Sequence, residues 1–249
     1  EKVREIVLLE QLIFLQRFVT NTSMIRGWAF WKKEVVLRIF AKWCKQNSNE
    51  IRLIAVSKNF GTEEILEANN AGAIDFGENR AQELKSKFDE LGNKVVWHFI
   101  GNLQRNKVKY VVGCAEYIHS MDSFLLASEI EKRAIKNGIV QKVFLQIKTS
   151  EEESKSGLTD LNEAREILKY CEKSPNLDLK GLMTIAAFTD DQKIIRDSFR
   201  YLNKLKDEFN SEGYKLKELS MGMTGDFEIA IEEGATMLRI GSAIFGTRE

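Results

Sequence analysis

One proline, two histidines and three cysteines in 249 residues leave little for several protein classes to be built from. The single proline, Pro175, sits in the turn KSPNLD, so no proline-rich linker divides the chain. His98 and His119 stand apart, with no H-E-x-x-H spacing, which argues against a catalytic zinc. Cys44, Cys114 and Cys171 are odd in number and lack C-x-x-C spacing, which argues against a disulfide framework or a zinc ribbon. Unpaired cysteines fit a reducing, cytoplasmic setting. Net charge is absent too, with 37 basic and 37 acidic residues, and this removes the general electrostatic case for nucleic acid or anionic lipid. Long apolar runs are missing even in the opening stretch, which Glu10, Gln11, Gln16 and Arg17 interrupt. Nothing there approaches the roughly 20 residues of a membrane span, and Glu10 falls where the core of a signal peptide would lie. The expectation is a soluble protein.

What is present, from residue 51 onward, is alternation. Short β-like runs at 51–56, 73–77, 95–101, 117–121, 142–149, 179–186, 217–222 and 237–241 are separated by segments of helical spacing. Thr62-Glu63-Glu64 reads as an N-cap with acids in the first turn, and Phe199, Leu202, Leu205 and Phe209 recur at helical intervals. Eight such units in about 200 residues predict a (β/α)8 barrel. An open doubly wound sheet is the alternative, but the chain has no G-x-G-x-x-G fingerprint. Residues 1–46 differ in kind. Trp31, Val35, Ile39, Phe40 and Trp43 share one helical face, which predicts a helical segment packed against the barrel or serving a membrane surface or partner.

Active groups of such barrels sit at the carboxyl ends of the strands. Lys58 follows the first strand in IRLIAVSKNF. The seventh ends in LSMGM, with Ser220 and Gly222, and the eighth in LRIGSAIFG, with Arg239, Gly241 and Ser242. Loops after strands seven and eight are the usual phosphate site of this architecture. Glycine lets an anion approach the backbone, and the hydroxyls and amides donate. An amine facing a phosphate cradle suggests a phosphorylated carbonyl compound held as a Schiff base. Pyridoxal 5′-phosphate (PLP) satisfies both ends, with its aldehyde on Lys58 and its phosphate at Ser220, Gly241 and Ser242. Arg239 would then face the pyridine nitrogen. An arginine, always cationic, leaves that nitrogen unprotonated and weakens carbanion stabilisation.

Several ordered motifs carry a resemblance. AVSK (55–58), FGENRAQE (76–83), WHFIGNLQRNK (97–107), HSMD (119–122), SKSG (154–157), GLMTI (181–185), LSMGM (219–223) and RIGSAIFG (239–246) resemble those of the pyridoxal phosphate homeostasis proteins, the YggS/PROSC family. These share the barrel of the alanine racemase N-terminal domain. The resemblance spans about 47–249, implying a single PLP-binding barrel there, and does not extend over 1–46. It implies that Lys58 forms the Schiff base and Arg239 faces the pyridine nitrogen. It also implies phosphate contacts from Ser220, Gly241 and Ser242, with Met223 nearby and Asn79 close to the ring. His98 reads either as a neighbour of the site or as a hydrogen-bonded core residue, Asn79 also as a helix cap, and Lys155 as a further contact or plain loop. Where the family commonly has a proline-bearing loop after the lysine, this chain has NFGTEE. Ser242 stands where threonine is usual, and MTGD leaves Thr224 to supply a hydroxyl.

The implied role is buffering PLP and delivering it to PLP-dependent apoenzymes, without catalysis. A PLP-dependent amino-acid racemase is the rival. It needs a second acid/base, which racemases take from an additional β domain and a partner subunit, and the sequence stops at Glu249 just after the eighth strand. The expectation is therefore a monomeric carrier. A Schiff-base aldolase is a third class, separable because it would be colourless.

Overall fold

The computed structural model describes residues 51–150, 152 and 156–246. The helical segment expected over 1–46, and Lys155, lie outside the described residues. Strands and helices alternate in the order β1 (Arg52–Val56), α1 (Thr62–Asn70), β2 (Asp75–Glu78), α2 (Ala81–Leu91), β3 (Val96–Phe99), α3 (Val108–Val111), β4 (Tyr117–Met121) and α4 (Phe124–Asn137). They continue as β5 (Gln141–Gln146), α5 (Leu161–Lys173), β6 (Leu177–Met183), α6 (Gln192–Ser211), β7 (Glu218–Ser220), α7 (Phe227–Glu232), β8 (Met237–Ile240) and α8 (Ser242–Phe245). Neighbouring strands pair in parallel, and β8 returns to β1 with Arg239 opposite Ile54, so the sheet is a closed barrel. Closure leaves no sheet edge to protect and decides against the open sheet.

Two apolar layers hold it. The larger lies between the strands and the helices and includes Phe76, Trp97, Phe99, Ile118, Phe199 and Phe209. The smaller fills the barrel interior with Ile54, Tyr117, Phe144, Met183 and Met237. Each such side chain, fully buried, contributes about 1.5–3 kcal/mol. The helices follow their apolar periodicity. In α6, Ile195, Phe199, Leu202, Leu205 and Phe209 all face inward, at steps of three and four. Ser123, Asp160 and Asp191 cap α4, α5 and α6 by accepting from Leu126, Asn162 and Lys193 amides.

Two local expectations differ. Gly61, not Thr62, occupies the N-cap of α1, and the Thr62 hydroxyl instead donates to Glu90 on α2. Strand β6 begins at Leu177, opposite Gln141, and ends at Met183. Its neighbour β7 stops at Ser220, so past one bond from the Thr184 N–H to the Ser220 carbonyl the ladder has no partner.

Candidate functional site

The tip of β1 is pinned from below. The Ser57 N–H donates to the Gly77 carbonyl at 3.0 Å, and its hydroxyl donates to Glu78 Oε1 at 2.6 Å. Lys87 Nζ, from α2, reaches the Ser57 carbonyl, Glu78 Oε1 and Glu83 Oε1 at 3.0, 2.7 and 2.7 Å. The Asn59 N–H closes the turn onto Glu83. Burial pushes the Glu78 carboxyl up to about 7, against the opposing pull of Lys87 and Ser57. Burial also raises Glu83, but the Lys87 and Asn59 donors outweigh it and hold that carboxyl below the ordinary range. The two residues that emerge from this platform are Lys58 and, beside Glu78, Asn79. Phe60 stacks on Phe245 with ring centroids 4.9 Å apart and ties the β1 loop to α8.

Across the mouth, β7 and β8 bring up the other groups. Gly222 turns the chain with φ +93°, and a Cβ there would meet Ala230 and Leu238 at 2.6 and 2.9 Å, so glycine is required. Its carbonyl accepts from the Arg239 N–H. Gly241 leads into α8; the Ile244 and Phe245 amides donate to the Gly241 carbonyl, and those of Ser242 and Ala243 have no intrahelical acceptor. A Cβ at 241 would meet Val56 only at 3.4 Å, an ordinary contact. The protein's own packing does not demand glycine there; an approach from the cavity would.

These walls enclose a cavity of about 680 Å³, lined by Lys58, Asn79, Met223, Arg239, Gly241 and Ser242 among the residues singled out from sequence. Thr224 lines it as well. Phe60, Ile100, Gly101, Asn102, Gln146, Ser156 and Ile185 complete much of the wall and were not singled out. Phe60 follows strand one, Ile100–Asn102 strand three, Ser156 strand five and Ile185 strand six, while Gln146 ends strand five; Ile100–Asn102 and Ser156 stand inside quoted motifs. Gly101 lets the Asn79 backbone come close, since a Cβ would lie 2.1 Å from the Asn79 carbonyl oxygen. Asn79 does not cap α2: Arg80 takes that position, and Asn79 Oδ1 is buried without a hydrogen-bond partner.

Ser220 is placed differently from the others. It is fully buried and does not line the cavity, and its hydroxyl oxygen accepts from Arg239 at 2.7 Å and contacts His119 Nδ1 at 2.8 Å. His98 is likewise a core residue, stacked on Tyr117 and bonded to His119 and Asp75. Arg239 also donates to the Thr184 carbonyl, and burial lowers its pKa to about 10, which leaves it cationic at neutral pH. The arrangement therefore offers a lysine amine for a carbonyl, a fixed guanidinium, and hydroxyl and amide donors for an anion. Among the described residues, no acidic or histidine cluster could hold a metal, and no helix is long and apolar enough to cross a membrane.

Comparison with known proteins agrees with this fold. The family model for the alanine racemase N-terminal domain matches residues 38–249. A pyridoxal phosphate homeostasis protein of Aquifex aeolicus is 43% identical over 219 residues, covering 86% of this chain and 96% of its own length. PipY of Synechococcus elongatus, solved with PLP bound, is 33% identical with a TM-score of 0.76, covering 85% of this chain and all of that one. An alanine racemase of Clostridium difficile shares the fold at 15% identity and a TM-score of 0.67, over 80% of this chain and 53% of that one. By its sequence and its barrel, the chain belongs to the alanine racemase N-terminal domain family and, within it, to the pyridoxal phosphate homeostasis proteins.

Proposed function

We propose that this protein binds PLP in the cavity at the barrel mouth and acts in PLP homeostasis as a non-catalytic carrier. The observation that carries the reading is that Lys58, Arg239 and the Gly241–Ser242 turn open onto one cavity. The residues fit the group. Asn79 Oδ1 is a buried acceptor in want of a donor, and Gly241 keeps backbone space open on the cavity side. Bound there, PLP would supply a reactive aldehyde, and Lys58 would be the amine that holds it. The Ser242 and Thr224 hydroxyls and the Ser242 and Ala243 amides serve the phosphate, and Arg239 serves the ring nitrogen as a cation that gives up no proton. Met223 flanks the cavity beside Thr224. A site whose ring partner is a cation favours storage of the cofactor over carbanion chemistry. PLP-dependent apoenzymes are the recipients this role implies, and a monomer suffices for it.

Adding PLP to the purified protein should produce visible absorption that borohydride abolishes and that Lys58→Ala lacks. A wild-type protein that stays colourless with PLP defeats the assignment. Robust conversion of L-alanine to D-alanine by the loaded protein would replace the carrier reading with a racemase.

A further inference from the structure

A line of polar side chains crosses the otherwise apolar barrel interior. Arg239 Nη1 donates to Ser220 Oγ at 2.7 Å; Ser220 Oγ meets His119 Nδ1 at 2.8 Å; His119 Nε2 meets His98 Nδ1 at 2.9 Å; His98 Nε2 meets Asp75 Oδ1 at 2.8 Å. Both imidazoles are fully buried, His119 stacked on Phe144 at 4.5 Å and His98 on Tyr117 at 4.6 Å. The line starts at a cavity-lining residue and ends at the amino-terminal ends of β1 and β2, where Arg52 donates to Asp75 and to the Tyr117 hydroxyl.

Its polarity can be worked out from the ends. Arginine can only donate, and a carboxylate that already accepts from Arg52 can only accept. His98 must therefore present Nε2–H to Asp75. Burial lowers the pKa of both histidines, opposed at His98 by Asp75 and reinforced at His119 by His98 and Arg239, so both are neutral. A neutral His98 leaves Nδ1 as an acceptor, so His119 donates from Nε2 and accepts at Nδ1, and the Ser220 hydroxyl must give its proton to His119. The reverse arrangement sets a bare His98 nitrogen against the Asp75 carboxylate and strands the serine proton. One arrangement satisfies every link.

We propose that Asp75, His98, His119 and Ser220 are positioning residues for Arg239, joined to it as a one-directional hydrogen-bond line through the barrel. The Ser220 proton is committed to His119, so it is not offered to a phosphate. Its lone pair and the Thr184 carbonyl fix the two ends of the guanidinium, and the remaining N–H edges are left for the cavity. In its effect on the cofactor the proposal rests on the PLP reading; in its polarity it does not.

Two measurements on the full chain test it. Imidazole 1H–15N correlation spectra at neutral pH, without cofactor, should show both histidines as neutral Nε2–H tautomers. The two share one expected pattern, so no assignment is needed. An Nδ1–H tautomer or a cation at either position overturns the line. The second measurement compares the dissociation constants of PLP and of unphosphorylated pyridoxal in Ser220→Ala. Loss of the positioning bond should weaken both ligands by the same factor, roughly tenfold, with a displaced absorption maximum, and Ser220→Thr should restore both. Weakening of PLP alone makes Ser220 a phosphate contact and refutes the proposal, as does unchanged binding of either. Should wild type bind neither ligand, the PLP reading fails and the tautomer spectrum alone decides the line. His119→Phe gives an independent variant with the same expected outcome.

Discussion

Asn79 ends the β2 loop with its side-chain oxygen buried and unpaired, a state that costs a folded protein about 1–3 kcal/mol when no donor arrives. Such a cost is tolerated where a ligand removes it. Asn79→Ala should therefore leave the stability of the free protein within about 1 kcal/mol of wild type while weakening PLP binding several-fold. Urea unfolding and a spectral titration measure the two, and a strongly destabilised variant with normal binding would make Asn79 structural. At this scale the sequence was informative where residue type and strand end coincide, as at Lys58 and Arg239. It was uninformative about Ser220, because whether a hydroxyl faces a cavity or a neighbouring histidine depends on contacts 101 residues apart. His98 could be narrowed to two roles, and the aromatic ring beneath it, from β4, chose between them.

Among the elements, β1, β2 and α2 act as one unit. Lys87 on α2 braces both strand tips, and Glu78 sits between Ser57, Lys87 and Glu83 with one oxygen, Oε2, unpaired. Ion pairing fails to keep this carboxyl acidic because desolvation outweighs it. Its folded pKa, about 7, lies above the ordinary 4.5. Between those values the folded state binds the proton more tightly than the unfolded chain, so rising pH across that window removes stability. Against Glu78→Gln, which does not titrate, the stability of wild type should decline by about 3 kcal/mol from pH 4.5 to 8. Parallel denaturation profiles for the two proteins would contradict this. The elements themselves were legible because strands and helices differ in apolar period, and the eight strand runs all fall on observed strands. Their ends were less so. Thr62 has the chemistry of a cap, but the chain enters α1 through the extended backbone of Gly61, and the threonine finds Glu90 instead. The start of β6 was obscured because Leu177 and Asp178 follow a proline turn closely, while their pairing with β5 is invisible to local pattern.

For the whole molecule, barrel closure does two things at once. It gathers the tips of β1, β2, β7 and β8, distant in sequence, around one cavity, and it encloses an interior in which a polar line runs among apolar rings. Alternation of strand and helix was enough to predict the barrel; the strand-end rule picked out Lys58, Arg239, Gly241 and Ser242, and the family resemblance Asn79 and Met223, all of which line one cavity, while Ser220 does not. The interior line escaped sequence reading because none of its members is unusual locally; only the closed barrel brings β2, β3, β4, β7 and β8 within hydrogen-bonding reach. The central claim is that Lys58 is the amine that holds PLP, and the most direct measurement is peptide mass analysis after loading with PLP and reduction with borohydride. A single pyridoxyl addition on the peptide containing Lys58 is expected. An addition on a different lysine, or none at all, would contradict it.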